Sequence, residues 1–87
     1  MKIHIPGSRS LKDKRSIVKS LVMRLQKQLN LSIAEVEDHD LWQMATIGLA
    51  CVSNHNNRVE EIISAAISLI ERDYPTIEIV GKEIEIY

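Results

Sequence analysis

Leu31-Ser32-Ile33-Ala34-Glu35-Val36-Glu37-Asp38-His39-Asp40-Leu41-Trp42-Gln43-Met44-Ala45-Thr46-Ile47-Gly48-Leu49-Ala50-Cys51-Val52-Ser53 is the stretch that decides the fold. Leu31 to Glu37 reads as a strand and Asp38-His39-Asp40 as a turn. Residues 43–53 form a near-continuous apolar run, the pattern of a strand at the centre of a sheet. Two strands in direct succession therefore occupy the middle of the chain, and the flanking segments must pack on the sheet they start.

Upstream, Ser10 is a good N-cap, and Asp13 three residues later makes an approximate capping box with an acid in the first turn. Leu11, Val18, Val22, Leu25 and Leu29 recur at helical spacing, with Leu21 beside them, so 11–29 reads as an amphipathic helix ended by Asn30. Downstream, Ser53-Asn54-His55-Asn56-Asn57 is a polar loop. Val59, Ile63, Ala66 and Ile70, widened by Ile62 and Leu69, mark a second helix that Asp73-Tyr74-Pro75 terminates. Lys2-Ile3-His4-Ile5 is a short strand stopped by Pro6-Gly7. Thr76 to Tyr87 alternates Ile77, Ile79, Ile84 and Ile86 with acids and is interrupted near Gly81 by a bulge or turn.

The order strand, helix, strand, strand, helix, strand, with right-handed crossovers, predicts an α+β, ferredoxin-like split β-α-β sandwich. Its four-stranded antiparallel sheet carries both helices on one face, in a single domain over 1–87. The first strand is then central, between the third and the fourth. Four residues are few for that place, which predicts a truncated first strand in a natural chain that starts further upstream, or a sheet end prone to dimerise. The face away from the helices is expected to carry Met44, Thr46, Gly48, Ala50 and Val52, with Lys2 and His4 opposite Glu83 and Glu85. Small apolar residues on such a face suit a partner sheet or a homodimer.

The 87 residues carry a net charge of only −1, which hides a strong asymmetry. Residues 1–30 hold eight basic side chains against Asp13 alone, a balance of +7; residues 31–87 hold three against eleven acids, a balance of −8. Such a division points to a polyanionic partner, or to docking of the basic third of one copy on the acidic remainder of another. The apolar content of 45% is that of a folded domain, although a chain this short buries only roughly 60–65% of its unfolded surface. No run approaches 18 apolar residues and no signal peptide opens the chain, so no membrane association is expected. The single cysteine, Cys51, suits a reducing compartment and a cytoplasmic location; set in an apolar strand, it reads as a buried inert thiol.

His4-Ile5-Pro6-Gly7-Ser8-Arg9-Ser10-Leu11-Lys12-Asp13-Lys14-Arg15 resembles the opening of the YlxP-like family, small bacterial proteins of unknown function. Ala34-Glu35-Val36, Asp40-Leu41-Trp42-Gln43 and Ala45-Thr46-Ile47-Gly48-Leu49-Ala50-Cys51-Val52-Ser53 extend the resemblance over essentially the whole chain. The first block and Asp40-Leu41-Trp42-Gln43 are its most specific parts. Family members usually begin several residues earlier. The resemblance implies a ferredoxin-like fold and, from genes that neighbour transcription and translation factors, a role linked to RNA or the ribosome; it implies no catalytic residues.

From the residues themselves, Pro6–Arg15 is the leading candidate site. It runs into a helix N-terminus, where free N–H groups and the helix dipole favour anions. Arg9 and Ser10 lie there, and Lys12, Arg15 and Lys19 line one flank of the helix, with Lys14 counted among the cations. Like charges at these spacings cost about 0.2–0.5 kcal/mol per pair, and a phosphate-bearing ligand relieves that cost; a solvated basic face with an ordinary cap is the plain alternative. The partner expected is structured RNA or a ribosomal particle, bound through phosphate and shape, because the first and third strands lack the aromatic platform of RNA-recognition sheets. The plain reading of Trp42, beside Asp40, is a ring anchoring its loop to the core, and the other is a ring stacking on a base. Glu35, Asp38, His39 and Asp40 with His55 match no metal-ligand spacing, so neither metal nor cofactor is expected. A non-enzymatic protein is expected; the weaker alternative is an acylphosphatase-like enzyme using Arg9 and Asn54, by fold analogy alone.

Overall fold

The computed structural model describes residues 1–29, 31–51 and 56–83 of the chain. Along it run β1 (Lys2–His4), α1 (Leu11–Leu29), β2 (Ser32–Glu37), β3 (Met44–Ala50), α2 (Asn56–Asp73) and β4 (Glu78–Gly81). The strands pair antiparallel in the order β2-β3-β1-β4, the ferredoxin-like arrangement with the first strand inside the sheet. β1 is three residues long, but the Ile5 N–H donates to the Gln43 carbonyl and the Ile47 N–H to the Met1 carbonyl, both at 2.7 Å. These two bonds carry its pairing one step past each end.

Alternation along the strands sends Ile3, Ile33, Ala45 and Ile47 to one face, where they meet Val18, Leu21 and Leu25 of α1 and Ala66, Leu69 and Ile70 of α2. Both helices thus cover the same face and share one core. α1 spans the residues expected of it, but its innermost stripe is Lys14, Val18, Leu21 and Leu25, while Leu11, Val22 and Leu29 are only half-buried. α2 begins within the expected polar loop, at Asn56, and its buried face centres on Ile62, Ala66, Leu69 and Ile70. Among the described residues no helix is long and apolar enough to cross a membrane.

Two bulges shape the sheet. Glu35 pairs with Ile47 and Glu37 with Thr46, leaving Val36 unpaired on β2. Lys2 pairs with Gly81 and Ile3 with Ile79, so the irregularity expected at Gly81 falls at Val80 instead. Gly48 lies opposite Ala34, and a Cβ there would come within 2.9 Å of Val36 Cγ1; the glycine makes room for the bulged valine. On the open face His4 lies 3.5 Å from Glu78, and Lys2 lies 3.5 Å from Asp38. Among the described residues the ion-pair partners of Lys2 and His4 are thus Asp38 and Glu78 and not the expected Glu83; the expected Glu85 lies outside the described residues together with Val52, Asn54, His55, Ile84 and Ile86. Cys51 is corrected as well: β3 ends at Ala50 and the thiol is exposed rather than buried.

Candidate functional site

The loop between β1 and α1 meets the loop between β2 and β3 at one end of the sheet. The Gln43 side-chain amide spends its two N–H groups on the carbonyls of Pro6 (3.2 Å) and Ser8 (3.1 Å). The β1–α1 loop closes on itself through the Ser8 N–H to the Ile5 carbonyl at 3.1 Å. Segments 4–15 and 40–43, the two most family-specific blocks of the sequence, therefore form one structural unit.

Lys14 locks that unit from inside. Its side chain is 0% exposed, and Nζ donates to Glu35 Oε2 (2.9 Å) and to the carbonyls of Asp38 (2.7 Å), His39 (3.1 Å) and Met44 (3.3 Å). An ammonium has three donors, so the longest contact shares one of them. Lys14 was counted among the anion-binding cations, and the structure removes it from that set: its charge is spent on Glu35 and on the turn. The turn it holds is strained, with Asp38 at φ 64°, a left-handed conformation that aspartate tolerates better than most residues. The Thr46 hydroxyl donates to the Asp38 carboxylate at 2.7 Å. That hydrogen bond first, then the charges of Lys2 and Lys14, holds the Asp38 carboxyl below its ordinary range. Asp38 is therefore committed to the turn, as Glu35 is to Lys14, and the His39 ring donates through Nε2 to the Glu35 carbonyl at 3.1 Å. Among the described residues no group of three or more His, Cys, Asp or Glu side chains is arranged to hold a metal ion.

Ser10 forms the expected cap, its Oγ accepting the Asp13 N–H at 3.1 Å. The return bond lands one residue earlier than in a regular capping box: the Asp13 carboxylate accepts from the Arg9 N–H at 3.1 Å. The anion seated at the N-terminus of α1 is thus its own Asp13. The Arg9 guanidinium, with the cations of Lys12, Arg15 and Lys19, remains at the surface. Asn54, the other half of the acylphosphatase analogy, lies outside the described residues.

At 100° per residue, Arg15, Lys19 and Lys12 lie roughly 90–150° round α1 from its buried stripe. Gln26 on the same flank donates to the Ile33 carbonyl at 3.4 Å, so this flank overhangs the edge strand β2. The opposite flank is tied to the end of α2 by the Arg24–Asp73 pair at 2.9 Å and by Ser20 and the Tyr74 hydroxyl at 2.8 Å. Lys2, Lys14, Arg24, Arg58 and Arg72 all have carboxylate partners. Among the described residues no ion pair engages Arg9, Lys12, Arg15 or Lys19.

On the β2–β3 loop, which Gln43 joins to the segment before α1, Leu41 and Trp42 stand 47% and 57% exposed, next to exposed Asp40. Trp42 does not anchor its loop; Gln43 and Lys14 do. The sequence reading passed over Gln43, Leu41 and the Lys14–Glu35 pair. A signal for the pair was present, because Lys14 lies four, seven and eleven residues before Val18, Leu21 and Leu25, in line with the apolar stripe.

The family described as "Protein of unknown function (DUF503)" matches residues 1–84. The chain is also similar to the uncharacterized protein YlxP of Bacillus subtilis (strain 168), 35% identical over 69 residues that cover 79% of this chain and 74% of that protein. With the resemblance of its opening block and its Asp40–Gln43 block, these matches show that the chain belongs to this YlxP-like family of unknown function.

Proposed function

We propose that the protein is a non-enzymatic binding factor for structured RNA or a ribosomal particle, held by Arg9, Lys12, Arg15 and Lys19 on the solvent flank of α1. The observation that carries this reading is the division of the cations. Lys2, Lys14, Arg24, Arg58 and Arg72 each have a carboxylate partner within the chain, whereas Arg9, Lys12, Arg15 and Lys19 gather on the loop and one flank of α1, exposed and without an ion-pair partner among the described residues; Lys27 and Lys82 also lack one. Uncompensated like charges at i, i+3 and i, i+4 destabilise a helix slightly, and phosphates offset that cost on binding. A cytoplasmic location belongs to the same proposal.

The test is the salt dependence of RNA binding. Three or four phosphate contacts give a log–log slope of about −2 to −4, a loss of roughly fifteen- to two-hundred-and-fifty-fold between about 50 and about 200 mM salt. The combined Lys12→Ala, Arg15→Ala and Lys19→Ala variant should flatten that slope and remove most of the affinity. A wild-type binding curve that ignores salt contradicts the mechanism. The rival reading, a homodimeric assembly protein, draws on the open sheet face, where Ala34, Gly48 and Ala50 leave a shallow surface beside exposed Val36. Its signature is self-association in the absence of RNA.

A further inference from the structure

We infer that Trp42 is a base-stacking platform, so that the ligand of the basic flank is RNA with an unpaired base, in a loop, bulge or single strand, rather than regular duplex. This rests on the RNA-binding reading of that flank and names the form of RNA it takes. Three observations carry it. Trp42 is the chain's sole tryptophan and stands 57% exposed, with Leu41 47% exposed beside it. An isolated exposed apolar side chain needs no explanation, but two large adjacent ones on a polar loop form a patch. The loop is also held rigidly. Gln43, the next residue, is bonded to the Pro6 and Ser8 carbonyls, and the Lys14 ammonium holds the carbonyls of Asp38, His39 and Met44. A ring presented on a fixed loop loses little conformational freedom when a flat partner covers it.

The third observation is where the loop is anchored. Gln43 bonds to Ser8, and the residue after Ser8 is Arg9, whose side chain is exposed; Lys12 follows in the first turn of α1. An exposed aromatic ring on a loop joined to a segment that carries uncompensated cations is the combination that binds single-stranded nucleic acid, with bases stacking and phosphates paired to Lys and Arg. A regular duplex offers no free base face to an exposed indole. Among the described residues the central strands β1 and β3 contain no aromatic residue that could serve as a platform on the open sheet face.

Because Trp42 is the sole tryptophan, its fluorescence reports directly on the site. The full chain is titrated with oligouridylate and with a regular RNA duplex. In parallel, labelled oligouridylate is titrated with wild type, Trp42→Ala and Trp42→Phe, with folding checked by circular dichroism. The inference expects oligouridylate, and not the duplex, to quench the indole. It expects Trp42→Ala to weaken oligouridylate binding roughly five- to a hundredfold, with Trp42→Phe recovering most of the loss and duplex affinity unchanged. Salt-dependent RNA binding with an unquenched indole and an indifferent Trp42→Ala variant overturns the stacking inference and leaves the basic flank standing. No RNA binding at all overturns both. If Trp42→Ala instead abolishes self-association or binding of an acidic peptide while RNA binding is untouched, the patch is a protein-docking surface and the inference fails.

Discussion

Replacing Lys14 by methionine keeps the length of its stem and removes the ammonium from a site that is 0% exposed. The Glu35 carboxylate, only 14% exposed, then loses its partner at 2.9 Å. The carbonyls of Asp38, His39 and Met44 lose a donor, although Asp38 keeps the Leu41 N–H at 3.1 Å. Stranding one member of a buried ion pair costs about 3–5 kcal/mol, against a total stability of about 5–15 kcal/mol for a domain. With a urea slope of about 1–1.5 kcal/mol/M for so small a chain, the midpoint should fall by roughly 2–5 M. Glu35→Gln keeps an oxygen acceptor but leaves the buried ammonium without its counter-charge, so it should cost about 3–5 kcal/mol as well. The Lys14→Met, Glu35→Leu double variant removes both charges and should be more stable than Lys14→Met alone. Urea unfolding of the four proteins, followed by circular dichroism, is the assay. A Lys14→Met unfolding free energy within about 0.5 kcal/mol of the parent's would refute the reasoning, because a surface lysine costs no more than that.

Two further perturbations probe the elements around this lock. Gly48→Ala brings a Cβ to 2.9 Å from Val36 Cγ1, an exposed side chain able to rotate away, so it should cost no more than about 1 kcal/mol; adding Val36→Ala should restore the loss, and additive urea midpoints for the pair would speak against the contact. Asp38 is held below its ordinary value of 3.8 by the Thr46 hydroxyl and by Lys2 and Lys14. A depressed folded pKa contributes stability that is present above the unfolded value and lost as pH falls through the folded one. The parent should therefore lose stability in acid below about pH 4, and Asp38→Asn, which tolerates the left-handed backbone, should lose less over the same range; parallel pH profiles would contradict this role for Asp38.

The order of elements was legible because it rests on periodicity and punctuation. Pro6-Gly7, Ser10 and Asp73-Tyr74-Pro75 mark their boundaries, and the apolar run from Met44 to Ala50 could only be an inner strand. The bulge at Val36 was not legible, since it depends on which residue opposes Thr46 across the sheet. Cys51 was read as buried because its neighbours are apolar, but burial depends on where pairing stops, and that point lies one residue before it. The site was legible in composition and not in geometry. Arg9, Lys12, Arg15 and Lys19 are where the sequence puts cations, yet a count of charges does not distinguish an exposed lysine from Lys14, whose partners lie 21 to 30 residues away. Trp42 fell between two readings for the same reason: a lone tryptophan is a core anchor or a surface platform according to what else holds its loop, and here Gln43 and Lys14 do.

Co-sedimentation with purified ribosomal particles tests the central claim most directly, using the parent and the Lys12→Ala, Arg15→Ala, Lys19→Ala variant at low and physiological salt. The account predicts that the parent pellets with the particles at physiological salt and that the variant does not. The variant's urea midpoint should be unchanged or slightly higher, because two like-charge pairs at about 0.2–0.5 kcal/mol each have been removed. A parent that stays in the supernatant and sediments alone as a dimer, or a variant that pellets as well as the parent, would contradict it.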